Sequence, residues 1–116
     1  MYTVKLRKDM SKHDFLGHIM KAEEARNYPA IDEKDGFCKY RTIDGKRACL
    51  AGTFIPDEEY KGEGNLLFKY GPYINNNAPE WLTIELLGKL QQIHDTFARR
   101  WNFNMFLEMV KIVLEV

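Results

Sequence analysis

Residues 37–51 read Phe-Cys-Lys-Tyr-Arg-Thr-Ile-Asp-Gly-Lys-Arg-Ala-Cys-Leu-Ala, and the interpretation of this stretch decides the fold class. The pattern predicts two strands, Phe37–Arg41 and Lys46–Ala51, on either side of an Asp44-Gly45 turn, because Asp-Gly is a common two-residue hairpin loop. With the helices described below, this predicts an α+β fold in which three main helices pack on a small antiparallel β-hairpin or sheet.

The register of this hairpin is open, because the turn allows two lengths. A two-residue loop pairs Tyr40 with Cys49, whereas a four-residue loop over residues 42–45 pairs Cys38 with Cys49. In either register Cys38, Tyr40, Cys49 and Ala51 share one face, because side chains alternate along a strand.

The first helix is predicted over about Lys12–Arg26. Ser11 has the character of an N-cap, and Asp14 three residues later forms a variant of the capping box. Asn27-Tyr28-Pro29 is expected to end the helix, because the residue before proline avoids the helical region.

The segment between the hairpin and the second helix is expected to be mostly irregular. Residues 52–64 carry one helical turn over Pro56–Tyr60, with proline at its first position. Leu66–Tyr70 is either a short strand or part of a loop, and Gly71–Pro79 is predicted to be a loop.

Two further helices are predicted in the last third of the chain. One runs from Pro79-Glu80 to about Arg100, with an apolar stripe formed by Leu82, Leu86, Leu90, Ile93, Phe97 and Trp101. Asn102 or Asn104 is expected to cap the last helix, which extends to Val116. That helix is apolar on nearly all sides, so it is either central to the core or shared with a second copy.

Composition favours one globular domain over residues 1–116. The chain is 45% hydrophobic and 29% charged, with 17 basic and 17 acidic residues and no net charge. Zero net charge argues against general nucleic-acid binding. No apolar run has the length needed to span a bilayer, and the N-terminus has no signal-peptide core. Two cysteines without an export signal indicate the cytoplasm.

Polar residues concentrate in the predicted hairpin, the segment after it and the second helix. The candidate binding residues are Cys38, Tyr40, Arg41, Cys49, Tyr60, Glu63, Gln91, His94 and Asp95. His94 borders the apolar stripe, and beside Asp95 it is either a general base, a ligand donor or metal ligand, or a packing residue satisfied locally. Arg41 either holds an anion bidentately or forms a surface ion pair such as one with Glu63.

The two cysteines have several interpretations. The alternatives are a nucleophile with its neighbour, half of a zinc site, a disulfide, or two small apolar side chains packed in a hairpin. The last of these is favoured. A zinc set of Cys38, Cys49, His94 and Asp95 is weakly supported, because the cysteines lack the close spacing of zinc knuckles. We therefore predict no metal and no cofactor.

The polar residues form a combined pattern: Cys38-x-Tyr40-Arg41, Gly45, Cys49-x-x-Gly52, Ile55-Pro56-Asp57, Tyr60, Glu63-Gly64 and Leu90-Gln91-x-x-His94-Asp95. Over positions 38–95 it resembles a family of small, mostly uncharacterised proteins from bacteriophages, prophages and some bacteria. The resemblance implies a phage-type accessory role, such as interference with a host or defence factor, and implies that the polar residues act together.

Three functional hypotheses follow. The first is a cytoplasmic accessory protein that binds a host factor and is able to form a homodimer through the C-terminal helix. The second is a small enzyme or ligand-sequestering protein that uses the polar residues on a nucleotide-like or other anionic small molecule. The third is a structural domain in which Cys38, Cys49, Gln91 and His94 form a satisfied buried network.

Overall fold

The protein consists of helices and has no sheet. The computed structural model describes all 116 residues. About 53% of the chain is helical and 3% lies in isolated bridges, so the predicted α+β class with a hairpin or sheet is wrong. The five α-helices are α1 (Lys12–Glu24), α2 (Leu50–Thr53), α3 (Leu66–Asn77), α4 (Ile84–Phe97) and α5 (Phe103–Leu114). Short 3-10 turns cover Asp57–Glu59 and Ala98–Arg100.

The predicted hairpin is reduced to a single antiparallel bridge between Arg41 and Ala48. Its register is the one that a two-residue Asp-Gly loop gives. A ladder does not extend from it because the next pair, Tyr40 and Cys49, is bonded elsewhere: the Tyr40 N–H donates to the Glu63 carboxylate, and the Cys49 carbonyl accepts from the Thr53 N–H of α2. The second predicted strand does not continue beyond Ala48, because the next residue, Cys49, is the N-cap of α2.

Helix α1 agrees with its prediction apart from its last residues. The Ser11 hydroxyl accepts from the Asp14 N–H at 3.0 Å, and the Asp14 carboxylate accepts from the Ser11 N–H at 3.1 Å, so the capping box is present. The helix buries Phe15 and Ile19 completely. It ends at Glu24, earlier than the predicted Arg26.

Helix α3 lies where a loop, or a short strand followed by a loop, was predicted, so both alternatives are wrong. Asn65 caps it by accepting from the Phe68 N–H at 3.2 Å, and Pro72 lies inside the helix. Burial against the rest of the protein outweighs the unfavourable helix propensity of Pro72. Tyr70 is fully buried, and the Tyr73 hydroxyl accepts from the Leu6 N–H and donates to the Phe54 carbonyl.

Helix α4 is the centre of the fold and packs against α2, α3 and α5. It begins after Thr83, whose hydroxyl accepts from the Leu86 N–H at 3.1 Å, so the predicted start at Pro79-Glu80 is wrong. Its fully buried residues are Leu87, Leu90 and His94. His94 therefore lies in the buried face of α4.

Helix α5 begins after Asn102, the first of the two predicted caps, whose side chain accepts from the Met105 N–H at 3.1 Å. Phe106, Val110 and Leu114 are buried against the rest of the protein. None of the five helices combines the length and the apolar character that crossing a bilayer requires.

Candidate functional site

The nine predicted site residues lie in two clusters, each centred on one carboxylate, with Cys49 buried beneath them. The Glu63 cluster consists of Tyr40, Arg41, Tyr60 and Glu63, and the Asp95 cluster consists of Cys38, Gln91, His94 and Asp95. A cleft of about 250 Å³ joins them, lined by Cys38, Lys39, Tyr40, Glu63, Gly64, Gln91 and Asp95. The cleft thus brings both predicted segments together.

The Glu63 carboxylate binds the backbone of the segment that was predicted to be a strand. One oxygen accepts from the Tyr40 N–H at 2.6 Å, and the other accepts from the Arg41 N–H at 3.2 Å and the Tyr60 hydroxyl at 2.7 Å. The Tyr40 hydroxyl donates to the Gly64 carbonyl at 2.7 Å. These contacts satisfy backbone donors that a sheet would otherwise satisfy.

Burial and the neighbouring carboxylate keep both tyrosines of this cluster protonated. Burial first, followed by nearby anionic groups that include Glu63, raises the pKa of Tyr40 to about 12. Burial and the hydrogen bond to Glu63 also raise the pKa of Tyr60. Both hydroxyls are therefore hydrogen-bond donors near neutral pH.

Arg41 is engaged by groups of its own chain. Its Nη1 lies 2.8 Å from Asp57 Oδ1, and its Nη2 donates to the Ile55 carbonyl at 2.9 Å. Its guanidinium carbon lies 4.5 Å from the ring centroid of Tyr60. The ion-pair alternative with Glu63 is thus replaced by one with Asp57. Both terminal nitrogens are thus engaged, whereas the buried Nε has no hydrogen-bond partner.

His94 is held from both ring nitrogens. Its Nε2 lies 3.2 Å from the Ala30 nitrogen and accepts the Ala30 N–H, which assigns the ring proton to Nδ1 in the neutral tautomer. Nδ1 then donates to Asp95 Oδ1 at 2.9 Å. The ring centroid is 5.5 Å from that of Trp101 and 5.7 Å from that of Tyr28. A general base needs a free lone pair, and this imidazole presents none.

Gln91 continues the same network toward α2. Its Oε1 accepts from the Ala51 N–H at 2.9 Å, and its Nε2 donates to Asp95 Oδ1 at 2.9 Å. Asp95 thereby accepts from Gln91 and His94 at one oxygen. The network joins α4 to the first turn of α2 and to Ala30.

The two thiols are free, and both are protonated at neutral pH. Burial, reinforced by the charge and hydrogen bonding of Asp95, raises the pKa of Cys38 to about 11. Burial also raises the pKa of Cys49, whose sulfur accepts from the Gly52 N–H at 3.3 Å as the cap of α2. A nucleophilic cysteine has a lowered pKa, so this environment does not activate either thiol.

Cys38, His94 and Asp95 offer three metal-ligand atoms within 4.8 Å of one another. A histidine ligand binds a metal through one unprotonated nitrogen and donates a hydrogen bond from the other. Here Nδ1 carries the proton, and Nε2 faces the Ala30 N–H. Metal binding at Nδ1 would place two N–H donors against each other, so the residues do not fit a metal in this arrangement.

The cleft itself is small and polar. Its volume of about 250 Å³ lies below the ~300–1,000 Å³ of typical small-molecule pockets. Two of its lining residues, Lys39 and Gly64, were not among the predicted site residues. Lys39 Nζ forms an ion pair with Asp35 at 2.8 Å. The binding of a ligand in this cleft stays a prediction.

A second surface, on α5, was predicted only in outline. The side chains of Met105, Met109 and Ile112 are 42–67% exposed and follow one another at spacings of four and three residues. We call these three residues the α5 stripe. They lie on the side of α5 that faces away from its buried residues. The apolar character of both sides of α5 is the sequence signal for this surface.

No protein-family model, no curated protein and no solved structure matches this chain. The resemblance to small phage and prophage proteins therefore stays a prediction.

Proposed function

We propose that this protein is a binding module that contacts a partner protein through the α5 stripe. The observation that carries the proposal is the apolar surface of a regular, capped helix with three exposed large side chains in one row. Isolated exposed apolar residues are ordinary on protein surfaces, but contiguous apolar patches are typical of interaction sites. Methionine is also enriched at interfaces and adapts to different partner shapes.

The predicted site residues contact other groups of the same chain. They therefore support the α5 stripe only indirectly, because their contacts indicate a structural role and not a binding role. Glu63, Gln91 and His94 each accept a hydrogen bond from a backbone N–H of a loop or helix start. The contacts of Gln91 and His94 support the third hypothesis, a network that holds loops against α4, and Glu63 adds a contact that this hypothesis did not include. The enzyme and anion-binding hypothesis has less support, because both His94 ring nitrogens are engaged and the terminal nitrogens of Arg41 already bind Asp57 and the Ile55 carbonyl.

If the phage resemblance holds, the partner is a host factor and the module acts as an accessory protein in the host cytoplasm. A second copy of the chain is the other occupant that the stripe allows. Size measurement in solution over a range of concentrations distinguishes these two, because only self-association depends on the concentration of the protein alone.

The test is affinity capture from a bacterial lysate with wild-type protein and two matched variants. Ile112→Glu places a charge in the α5 stripe, whereas Ile43→Glu makes the same change at a loop residue of nearly equal exposure, 70% against 67%. We expect a captured protein to be lost with Ile112→Glu and retained with Ile43→Glu, and to bind the wild type again when purified. Equal capture by all three proteins would refute the α5 stripe as the contact surface.

A further inference from the structure

A cavity of about 290 Å³ lies between residues 31–34 and residues 42–47, and side chains of both charges line it. The acidic residues are Asp32, Glu33 and Asp44, and the basic residues are Lys34 and Arg47. Asp32 is buried and Arg47 is half-buried, whereas the other three are exposed. None of the five forms an ion pair within the chain. Opposite charges therefore line one space without contacting each other.

Arg47 is held at one terminal nitrogen of its guanidinium and is free at the other. Nη1 donates to the Tyr28 carbonyl at 3.0 Å and to the Pro29 carbonyl at 3.4 Å, and these contacts fix the orientation of the group. Nε and Nη2 make no hydrogen bond within the chain, and neither is a buried atom. Arginine binds a carboxylate through two such parallel donors. Arg47 thus offers an accessible pair of donors, in contrast to Arg41, whose terminal nitrogens both have partners.

Asp32 is a buried carboxylate with acceptor capacity to spare, since the residue is only 4% exposed. Oδ1 accepts from the Lys34 N–H at 3.0 Å, and Oδ2 accepts from a backbone N–H of residues 42–47 at 3.1 Å. A carboxylate has about four acceptor positions, so about two remain. A buried charge costs free energy unless it is paired and hydrogen-bonded, and Asp32 has no counter-ion in the chain.

We infer that this cavity binds a small zwitterion such as a free amino acid, with the ligand carboxylate on Arg47 and the ligand ammonium on Asp32. Each charge of the ligand then meets the opposite charge of the protein, and the buried carboxylate gains a counter-ion. The volume lies just below that of pockets for drug-sized ligands, which suits a molecule of this size. With three acids and two bases in the lining, the cavity favours an amino acid with a neutral or basic side chain over an acidic one. This site shares no residue with the α5 stripe and goes beyond the proposed function.

The test is a titration of the isotope-labelled chain with three probes, in which NMR follows the backbone amide signals of Lys34 and Arg47. L-alanine carries both charges, L-alanine methyl ester lacks the carboxylate, and N-acetyl-L-alanine lacks the ammonium. We expect L-alanine to shift both signals saturably. Each analogue is expected to bind at least about tenfold more weakly, because it loses the hydrogen bonds of one charged group.

Two variants assign the two charges. Arg47→Lys keeps a positive charge but has no pair of parallel donors, so it should weaken the binding of L-alanine and leave that of the methyl ester unchanged. Asp32→Asn should weaken the binding of L-alanine without weakening that of N-acetyl-L-alanine. Arg100→Lys is the control, because Arg100 is exposed in the 3-10 turn after α4 and lies outside the cavity. Circular dichroism of each variant confirms that the helices remain folded.

Either of two results would overturn the inference. One is the absence of a saturable shift with L-alanine up to millimolar concentration, and the other is equal affinity for all three probes. Both are measured on the wild-type chain, so they decide the question even where a variant fails to fold. Neither result bears on the lysate capture through the α5 stripe, which tests the proposed function separately.

Discussion

Replacing His94 with alanine tests whether the Asp95 cluster holds the fold together. The imidazole is completely buried among Tyr28, Trp101 and Phe106, and it is the acceptor for the Ala30 N–H. His94→Ala removes the ring from this packed environment. It also leaves a buried backbone donor without a partner.

The cost follows from two terms. Leaving the Ala30 N–H unsatisfied costs about 1–3 kcal/mol, because the desolvated group has lost its acceptor. Truncating a large buried side chain to alanine adds about 2–4 kcal/mol through lost packing and the cavity that remains. A domain of this length has a free energy of unfolding of about 6–17 kcal/mol, so His94→Ala removes a large part of it.

The assay is thermal and urea unfolding followed by circular dichroism. We expect His94→Ala to lower the Tm by at least about 10 °C, since each kcal/mol shifts the Tm of a domain of this size by roughly 3–5 °C. His94→Gln retains an acceptor and is expected to lose less. His13→Ala is the control, because His13 is exposed on the surface of α1. A Tm for His94→Ala within about 2 °C of wild type would refute the structural role of the network.

Three further predictions concern a thiol and two glycines. Because the pKa of Cys38 is raised to about 11, the rate of its alkylation by iodoacetamide should rise about tenfold per pH unit from pH 7 to 10. Asp95→Asn should lower that pKa and therefore increase the rate at a fixed pH. A rate that reaches a plateau below pH 9 would contradict this prediction. Gly52→Ala should lower the free energy of unfolding by about 1–3 kcal/mol or more, because the added Cβ would lie 2.0 Å from the Tyr40 carbonyl oxygen. Gly88→Ala in α4, where the added Cβ has no neighbour within 4 Å, should instead raise it by about 0.5–1 kcal/mol, and urea unfolding of both variants measures the contrast.

Local signals that do not depend on the rest of the fold were read correctly from the sequence. The capping box at Ser11 and the cap at Asn102 place the starts of α1 and α5, because each cap satisfies nearby backbone donors of its own helix. Helix α3 could not be found in this way. Its glycine, proline and asparagines all disfavour a helix, and it forms because Tyr70 and Ile74 are buried by distant parts of the chain.

The hairpin prediction failed for a related reason. Alternation and an Asp-Gly turn describe residues 37–51 well, and one bridge forms in one of the two registers that the turn allows. A sheet needs hydrogen bonds that continue along both strands, and here Glu63 takes the Tyr40 donor while the Cys49 carbonyl accepts from Thr53 in α2. The spacing of the strand residues does not reveal that Glu63 competes for a strand donor, because Glu63 lies more than twenty positions further along the chain.

The same competition explains why the polar residues resembled a binding site. A chain without a sheet has many loop N–H groups, and buried donors need acceptors. Glu63, Gln91 and His94 supply them for Tyr40, Ala51 and Ala30. Polar side chains that meet in space are therefore expected here even without a ligand, whereas no internal requirement accounts for exposed methionines and isoleucine along α5. Surface apolar area that the fold does not use is the better guide to what this protein binds.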